Sequence, residues 1–437
     1  MRKFLFFVFS SLLFISSCKE STIKISGKIN NHSSKLLYLE YNNTEDTIKI
    51  NENGEFYHTI KMNNPAYAFL YAKRSNINLY LEPSHDINIV FDERNTLANP
   101  TFSGDGKKIN DYLKLQGNII VGYKLYKKNS SQFVKQIEKT KKIKLNLIKG
   151  LNRKFANLEK SRIKYLIANC YYNYPLYHRY YSNSKKTSIP DNFYDFEKTL
   201  KIDDPNFLFL ESYKKFVKCF LDRKLNEFDN EINDKNKIKL QIILAEKYFK
   251  SLEVLDYLKY IVIRNHVQRF GIKNIKPIIE EFVSNSLNKK YIDHIIKIKN
   301  SWEKIEKGNI APEFSFPNFN GDTINLKQFK NKRVYIHIWN FWSERKSKSL
   351  SKYNKLIKEN KQNDIVFINI CSYNNKRKWK KFIEKNNIKG ESLIAKYGNS
   401  FFKKFKVINF PRNIYIGKEG IILNNNINDI ETYKIIE

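Results

Sequence analysis

The chain of 437 residues carries a formal charge of +35, from 79 Lys and Arg against 44 Asp and Glu. The cations are 66 Lys and only 13 Arg, spread along the whole chain among abundant Asn, Ile, Tyr and Phe, so dedicated nucleic-acid binding is not expected. Four widely spaced cysteines without a Cys-x-x-Cys pair argue against a disulfide framework, and seven scattered histidines without ligand spacing leave no metal or cofactor to expect.

Met1-Arg2-Lys3 is a short positive segment, and Phe4–Ile15 follows without a charge. As a helix those 12 residues rise about 18 Å, too little to cross a bilayer. The layout predicts a signal peptide over residues 1–17. Ile15-Ser16-Ser17-Cys18 resembles a bacterial lipobox, which implies lipid attachment at Cys18 and a membrane anchor. Lys19-Glu20 does not resemble the inner-membrane retention signal of some bacterial lipoproteins. The expectation is an outer-membrane lipoprotein of the cell envelope, facing the periplasm or the cell surface.

The remaining 420 residues are enough for two or three domains, and the pattern predicts a multidomain α+β chain. Residues 21–103 read as an antiparallel β domain, sandwich or barrel. Thr22–Ile29 alternates with period two, and further strands are predicted over Leu36–Leu39, Thr47–Ile50, Ala66–Ala72, Asn76–Leu81 and Ile87–Phe91. Asn53-Gly54 predicts a tight hairpin.

Residues 104–308 read as a helical region, with apolar spacings of three and four over 133–151, 155–172, 207–228, 238–270 and 278–305. Pro175, Pro190, Pro205 and Gly271 predict breaks. Tyrosines 171, 172, 174, 177, 180 and 181 cluster around Pro175. They read as the packing of a helix pair, the other use being a ligand surface edged by His178 and Arg179.

Residues 309–437 change to an α/β pattern. Strands are predicted at Phe314–Phe316, Val334–Trp339, Ile365–Ile370, Arg412–Ile416 and Ile421–Leu423, with helices after the second and third. Ala311-Pro312-Glu313-Phe314, the segment Val334–Trp342 and Phe410-Pro411-Arg412-Asn413-Ile414-Tyr415-Ile416 occur in that order. Together they resemble the thioredoxin-like domains of the TlpA and ResA group, related to AhpC/TSA. The β domain, with Gly54-Glu55-Phe56, is similar to the N-terminal domain of exported thioredoxin-like lipoproteins of the Bacteroidetes.

That resemblance implies a redox pair directly after Trp342, because thiol exchange needs an activated cysteine at a helix N-terminus and a resolving one a turn later. Here the two positions are Ser343 and Lys346, with Arg345 before the second. Ser343 reads as a helix N-cap. Conventional dithiol exchange is excluded, and no catalytic residue is assigned. Cys371 offers a single-thiol alternative, while Cys371 and His337 both read first as packed residues. The resemblance also implies a recognition surface at Trp342, Ser343, Phe410 and Pro411, with the last bond cis. The expected function is a redox-inactive envelope lipoprotein that binds a peptide or protein partner. A structural envelope protein without a ligand at the old site is the other reading.

Overall fold

The computed structural model describes residues 22–427 apart from 43, 73–74, 95–98, 118–121, 185–186, 229–233, 344–345, 361–363 and 397. The expected signal peptide, Cys18, Lys19, Glu20 and Arg345 lie outside the described residues. The chain forms two compact units, residues 1–202 with 206–220 and residues 203–205 with 221–437. The helical stretch is divided between them.

The first unit opens with eight strands: β1 (Thr22–Asn30), β2 (Leu36–Tyr41), β3 (Thr44–Lys49), β4 (Glu55–Lys61), β5 (Ala66–Tyr71), β6 (Asn76–Leu81), β7 (Ile87–Asp92) and β8 (Thr101–Ser103). They make two four-stranded sheets, ordered β4-β1-β7-β8 and β3-β2-β5-β6. The pairing is antiparallel except for β1 with β7. Alternate residues turn inward, and Ile23, Ile25, Leu37, Leu39, Leu79 and Ile89 are fully buried in the core. Each such side chain contributes about 1.5–3 kcal/mol. The Asn53-Gly54 turn is tight, with Gly54 at φ +79° and an Ile50–Phe56 bridge across it. It carries the chain from β3 in one sheet to β4 in the other.

The second sheet is covered on its outer face too. Helices α1 (Lys107–Gly117), α2 (Tyr123–Tyr126), α3 (Ser130–Leu147) and α4 (Arg153–Ser182) build a further core that includes Tyr80. Tyr80 meets Phe155 edge-on at 4.7 Å. Glu159 of α4 is fully buried and accepts from the Tyr67 hydroxyl, from the Tyr112 hydroxyl at 2.5 Å, and from Arg162 Nε at 2.6 Å and Nη2 at 2.8 Å. Strand, first helix and fourth helix therefore share one buried carboxylate.

Helix α4 runs through Pro175, where a break is predicted. Proline in a helix costs about 3 kcal/mol or more, yet here packing holds both flanks in place. Tyr174 lies against Phe133 at 4.3 Å, and its hydroxyl donates to the Lys128 carbonyl at 2.9 Å. Beyond the proline, His178 Nδ1–H donates to the Tyr126 carbonyl at 2.8 Å. The tyrosines divide at this point: Tyr171 and Tyr174 are core, while Tyr177, Tyr180 and Tyr181 are exposed.

Helix α5 (Glu211–Leu225) spans the division between units. The second unit continues with α6 (Asp234–Tyr248), α7 (Leu252–Phe270), α8 (Lys276–Asn285) and α9 (Lys289–Glu303). The apolar run 238–270 is interrupted because Lys250 and Ser251 N–H groups donate to Asp203. The run 278–305 breaks at Ser286, whose hydroxyl donates to Asp256 at 2.9 Å, and restarts on the Asn288 cap.

Strands β9 (Ser315–Pro317) and β10 (Thr323–Asn325) form a hairpin ahead of the main sheet. There follow β11 (Arg333–Asn340), α10 (Lys346–Glu359), β12 (Ile365–Ser372), α11 (Lys376–Lys385), β13 (Glu391–Ala395), α12 (Ser400–Lys404), β14 (Arg412–Ile416) and β15 (Ile422–Asn424). The sheet order is β13-β12-β11-β14-β15, with the first three strands parallel and the last two antiparallel, a mixed thioredoxin-like sheet. Arg412 is buried under the Trp302 ring at 5.4 Å, and Gly308 and Ala311 N–H groups donate to the carbonyls of Ile422 and Gly420.

Candidate functional site

The register of the main sheet places three loops at one edge. Ile338 pairs with Arg412, so the end of β11 and the start of β14 lie together, and Asn340 pairs with Ser372 at the end of β12. The loops leaving this edge carry Phe341–Ser343, Tyr373 and Phe410–Pro411. The Phe410-Pro411 bond is cis.

After β11 the chain turns at once. Asn340 Oδ1 accepts from the Ser343 N–H at 2.7 Å, and the Ser343 carbonyl accepts from Lys346 N–H at 3.1 Å and Nζ at 3.4 Å. Phe341 stacks on Tyr373 at 4.3 Å and 8°, with Lys346 Nζ 5.8 Å from the Phe341 centroid. Trp342 meets the edge of Tyr373 at 5.2 Å and remains 59% exposed. An indole this exposed, propped by a second aromatic ring, is available to an incoming apolar group. Phe410 and Pro411 are half-buried, and Phe410 packs edge-on to Phe402 at 6.0 Å. Ile408, two residues earlier, is 55% exposed.

The two thiol positions hold chemistry unsuited to exchange. Ser343 has no sulfur to form a mixed disulfide. Lys346 begins α10 and places a cation where the helix dipole favours an anion.

Cys371 does not replace them. It sits opposite Trp339 in β12, fully buried, packed with Leu350, Trp379, Ile383 and Ile394. Burial pushes its thiol well above the ordinary range, so the thiolate needed for attack is not formed at neutral pH. The single-thiol alternative fails on this point. Among the described residues, no three His, Cys, Asp or Glu side chains converge as a metal site.

One feature has no sequence counterpart. Ser392, Asn369, His337 and Asn413 lie side by side across β13, β12, β11 and β14, and all four are buried. Asn369 donates to Ser392 Oγ at 2.8 Å. Asn413 donates to the Ile427 carbonyl at 3.0 Å, which turns its Oδ1 to His337 Nδ1 at 2.6 Å. His337 is therefore the Nδ1–H tautomer. Its Nε2 lacks a hydrogen-bond partner among the described residues, and its ring stacks on Tyr353 of α10 at 5.1 Å. Burial lowers its pKa to about 4, so it is a neutral core residue rather than an acid–base group.

Residues 307–424 match the family model described as AhpC/TSA family, and residues 23–112 match that of a domain of unknown function (DUF4369). A thiol-disulfide oxidoreductase ResA of Bacillus thuringiensis subsp. konkukian is 29% identical over 121 residues, 28% of this chain and 69% of its own length. Another, from Bacillus anthracis, is 25% identical over 127 residues, 29% of this chain and 73% of its own length. Among solved structures, the C-terminal domain of a putative thiol-disulfide oxidoreductase from Bacteroides thetaiotaomicron is 28% identical. That match covers 29% of this chain and 90% of the other, with a TM-score of 0.27. A putative thiol-disulfide oxidoreductase from Bacteroides vulgatus is 27% identical, covering 28% of this chain and 80% of the other, with a TM-score of 0.26. The chain thus joins an N-terminal β domain to a C-terminal AhpC/TSA thioredoxin-like domain related to the TlpA and ResA proteins, with its cysteines not arranged as a Cys-x-x-Cys pair.

Proposed function

We infer that this chain is a redox-inactive protein of the cell envelope whose thioredoxin-like domain binds an extended peptide or protein segment. The observation that carries this is Trp342, 59% exposed on Tyr373 at the sheet edge shared with Phe410 and Pro411, beside Ser343 and Lys346 in place of thiols. The exposed indole and Ile408 supply apolar area for a partner segment where the loops gather at the strand ends. Export and lipid attachment at Cys18 belong to the same reading, as does an outer-membrane location. Among the described residues no helix is long and apolar enough to cross a membrane.

The test replaces Phe410 with a photoreactive phenylalanine analogue in cells and compares crosslinks with and without Trp342→Ala. A discrete partner lost with Trp342 supports binding. Nonspecific neighbours unchanged by the substitution would refute it and leave a structural envelope protein. Incorporation of labelled fatty acid, abolished by Cys18→Ser, tests the anchor separately.

A further inference from the structure

The first unit carries an exposed aromatic surface of its own. Tyr123, Leu176, Tyr177, Tyr180 and Tyr181 are between 36% and 56% exposed. The four tyrosines are one contiguous group. Tyr123 meets Tyr181 at 5.7 Å, Tyr181 meets Tyr177 at 6.1 Å and Tyr180 at 4.9 Å, and the buried Tyr126 meets Tyr177 at 5.0 Å. The surface is held in shape by the two bonds that tie α2 to α4, from Tyr174 to the Lys128 carbonyl and from His178 to the Tyr126 carbonyl. Neither segment is a chance exposure at a loop tip.

Within the two segments that carry these rings the charge is of one sign. Lys124, Lys127, Lys128 and Arg179 are exposed within the same two segments, and Lys127 Nζ lies 5.6 Å over the Tyr123 ring. Residues 112–137 and 160–190, which supply every member of the surface, contain no Asp or Glu. A tyrosine presents an apolar body and a polar tip, and a lysine or arginine presents an apolar stem and a charged head. Side chains of this kind match the boundary between acyl chains and anionic headgroups.

Ring geometry separates this from a stacking platform. The contacts Tyr126–Tyr177 and Tyr180–Tyr181 are edge-on at 87° and 85°. Nucleic-acid bases and sugar rings stack on ring faces, and these rings turn their edges to one another rather than forming a row of parallel faces. Leu176, 56% exposed beside them, adds purely apolar area that suits acyl chains better than sugars or bases.

We propose that the α2–α4 tyrosine surface docks on a bilayer carrying anionic phospholipid. The tyrosines and Leu176 enter the headgroup boundary, and Lys124, Lys127, Lys128 and Arg179 pair with phosphates. This surface is independent of the sheet-edge reading and of any lipid at Cys18.

The test uses a chain beginning at residue 21, which holds every described element and lacks Cys18, in flotation with phosphatidylcholine vesicles and with vesicles containing phosphatidylglycerol. Binding is expected only to the anionic vesicles. Lys124→Glu with Lys127→Glu is expected to weaken it by at least about tenfold, since each cation near such a surface contributes about a fivefold factor. Tyr177→Ser with Tyr180→Ser is expected to weaken binding and to leave the remainder fully salt-sensitive. Lys289→Glu with Lys290→Glu, an exposed pair in the other unit, is the control for diffuse charge and is expected to change binding less than twofold, well below the roughly fivefold factor of one docked cation. The proposal is overturned if all three variants fall alike, if the unsubstituted chain ignores anionic vesicles, or if oligothymidylate binds the surface and displaces the vesicles. Unchanged circular dichroism of the lysine variant separates loss of docking from loss of fold.

Discussion

His337 gives the sharpest quantitative expectation. In the folded chain its Nδ1–H is held by Asn413, its Nε2 lacks a hydrogen-bond partner among the described residues, and burial lowers its pKa to about 4. In the unfolded chain the imidazole titrates near 6.5. Below pH 6.5 the unfolded state therefore takes a proton that the folded state refuses, and stability falls as the pH falls. From pH 7 to pH 5 the loss is about 2 kcal/mol, reaching about 3 kcal/mol near pH 4 and then levelling. Urea unfolding followed by tryptophan emission reads this directly, because all four tryptophans, Trp302, Trp339, Trp342 and Trp379, lie in residues 221–437. His337→Gln removes the ionisable group, so the variant should lose about 2 kcal/mol less over the same interval, whatever its stability at pH 7. Parallel curves for the two chains would refute the argument, as would an imidazole resonance titrating near 6.5 in the folded protein.

Three further outcomes follow from the same geometry. Glu159→Gln strips the charge that compensates Arg162 in a buried site and should destabilise the first unit by about 3–5 kcal/mol; amide exchange in α4 reads it, and a loss under about 1 kcal/mol would contradict the assigned burial. Cys371 should resist iodoacetamide in native protein and react after denaturation, read by mass of its peptide; alkylation in native conditions would reopen the single-thiol reading. The chain should show no insulin-disulfide reduction above a blank, whereas Ser343→Cys with Lys346→Cys should restore a pair one helical turn apart that forms a disulfide. Failure of that pair to oxidise would mean that the loop before α10 does not have exchange geometry.

Much of the architecture is legible in the chain because it is written in local pattern. Period-two alternation marks β1, and the apolar run Val334–Trp339 marks the first central strand of the second sheet. Pairing is less legible, since the parallel contact of β1 with β7 joins residues about 60 apart and no local signal encodes it. The five-residue β13 is missed because a strand that short has too little pattern to stand out. Pro175 shows a local rule overridden: the aromatic packing of Tyr171 and Tyr174 outweighs the lost helical bond. The same packing argument misses the other half of the cluster, where Tyr177, Tyr180 and Tyr181 continue past the core and into solvent. At the sheet edge, residue order locates Trp342, Ser343 and Pro411, but not the support that Tyr373 gives the indole. The row of Ser392, Asn369, His337 and Asn413 is hidden altogether, because its members become neighbours only once the register of four strands is fixed.

The seating of Arg412 bears on how the protein can be dissected. Its guanidinium is buried against Trp302, while Asn425 donates to the Ile305 carbonyl and Gly308 to Ile422. A fragment beginning at residue 307, where the family match begins, would take away the indole and the Ile305 carbonyl, leaving an uncovered cation and Asn425 without that acceptor. The last helical turns before that point serve as the sheet's lid, so a durable excision begins upstream of α9 and not at the edge of the recognisable fold.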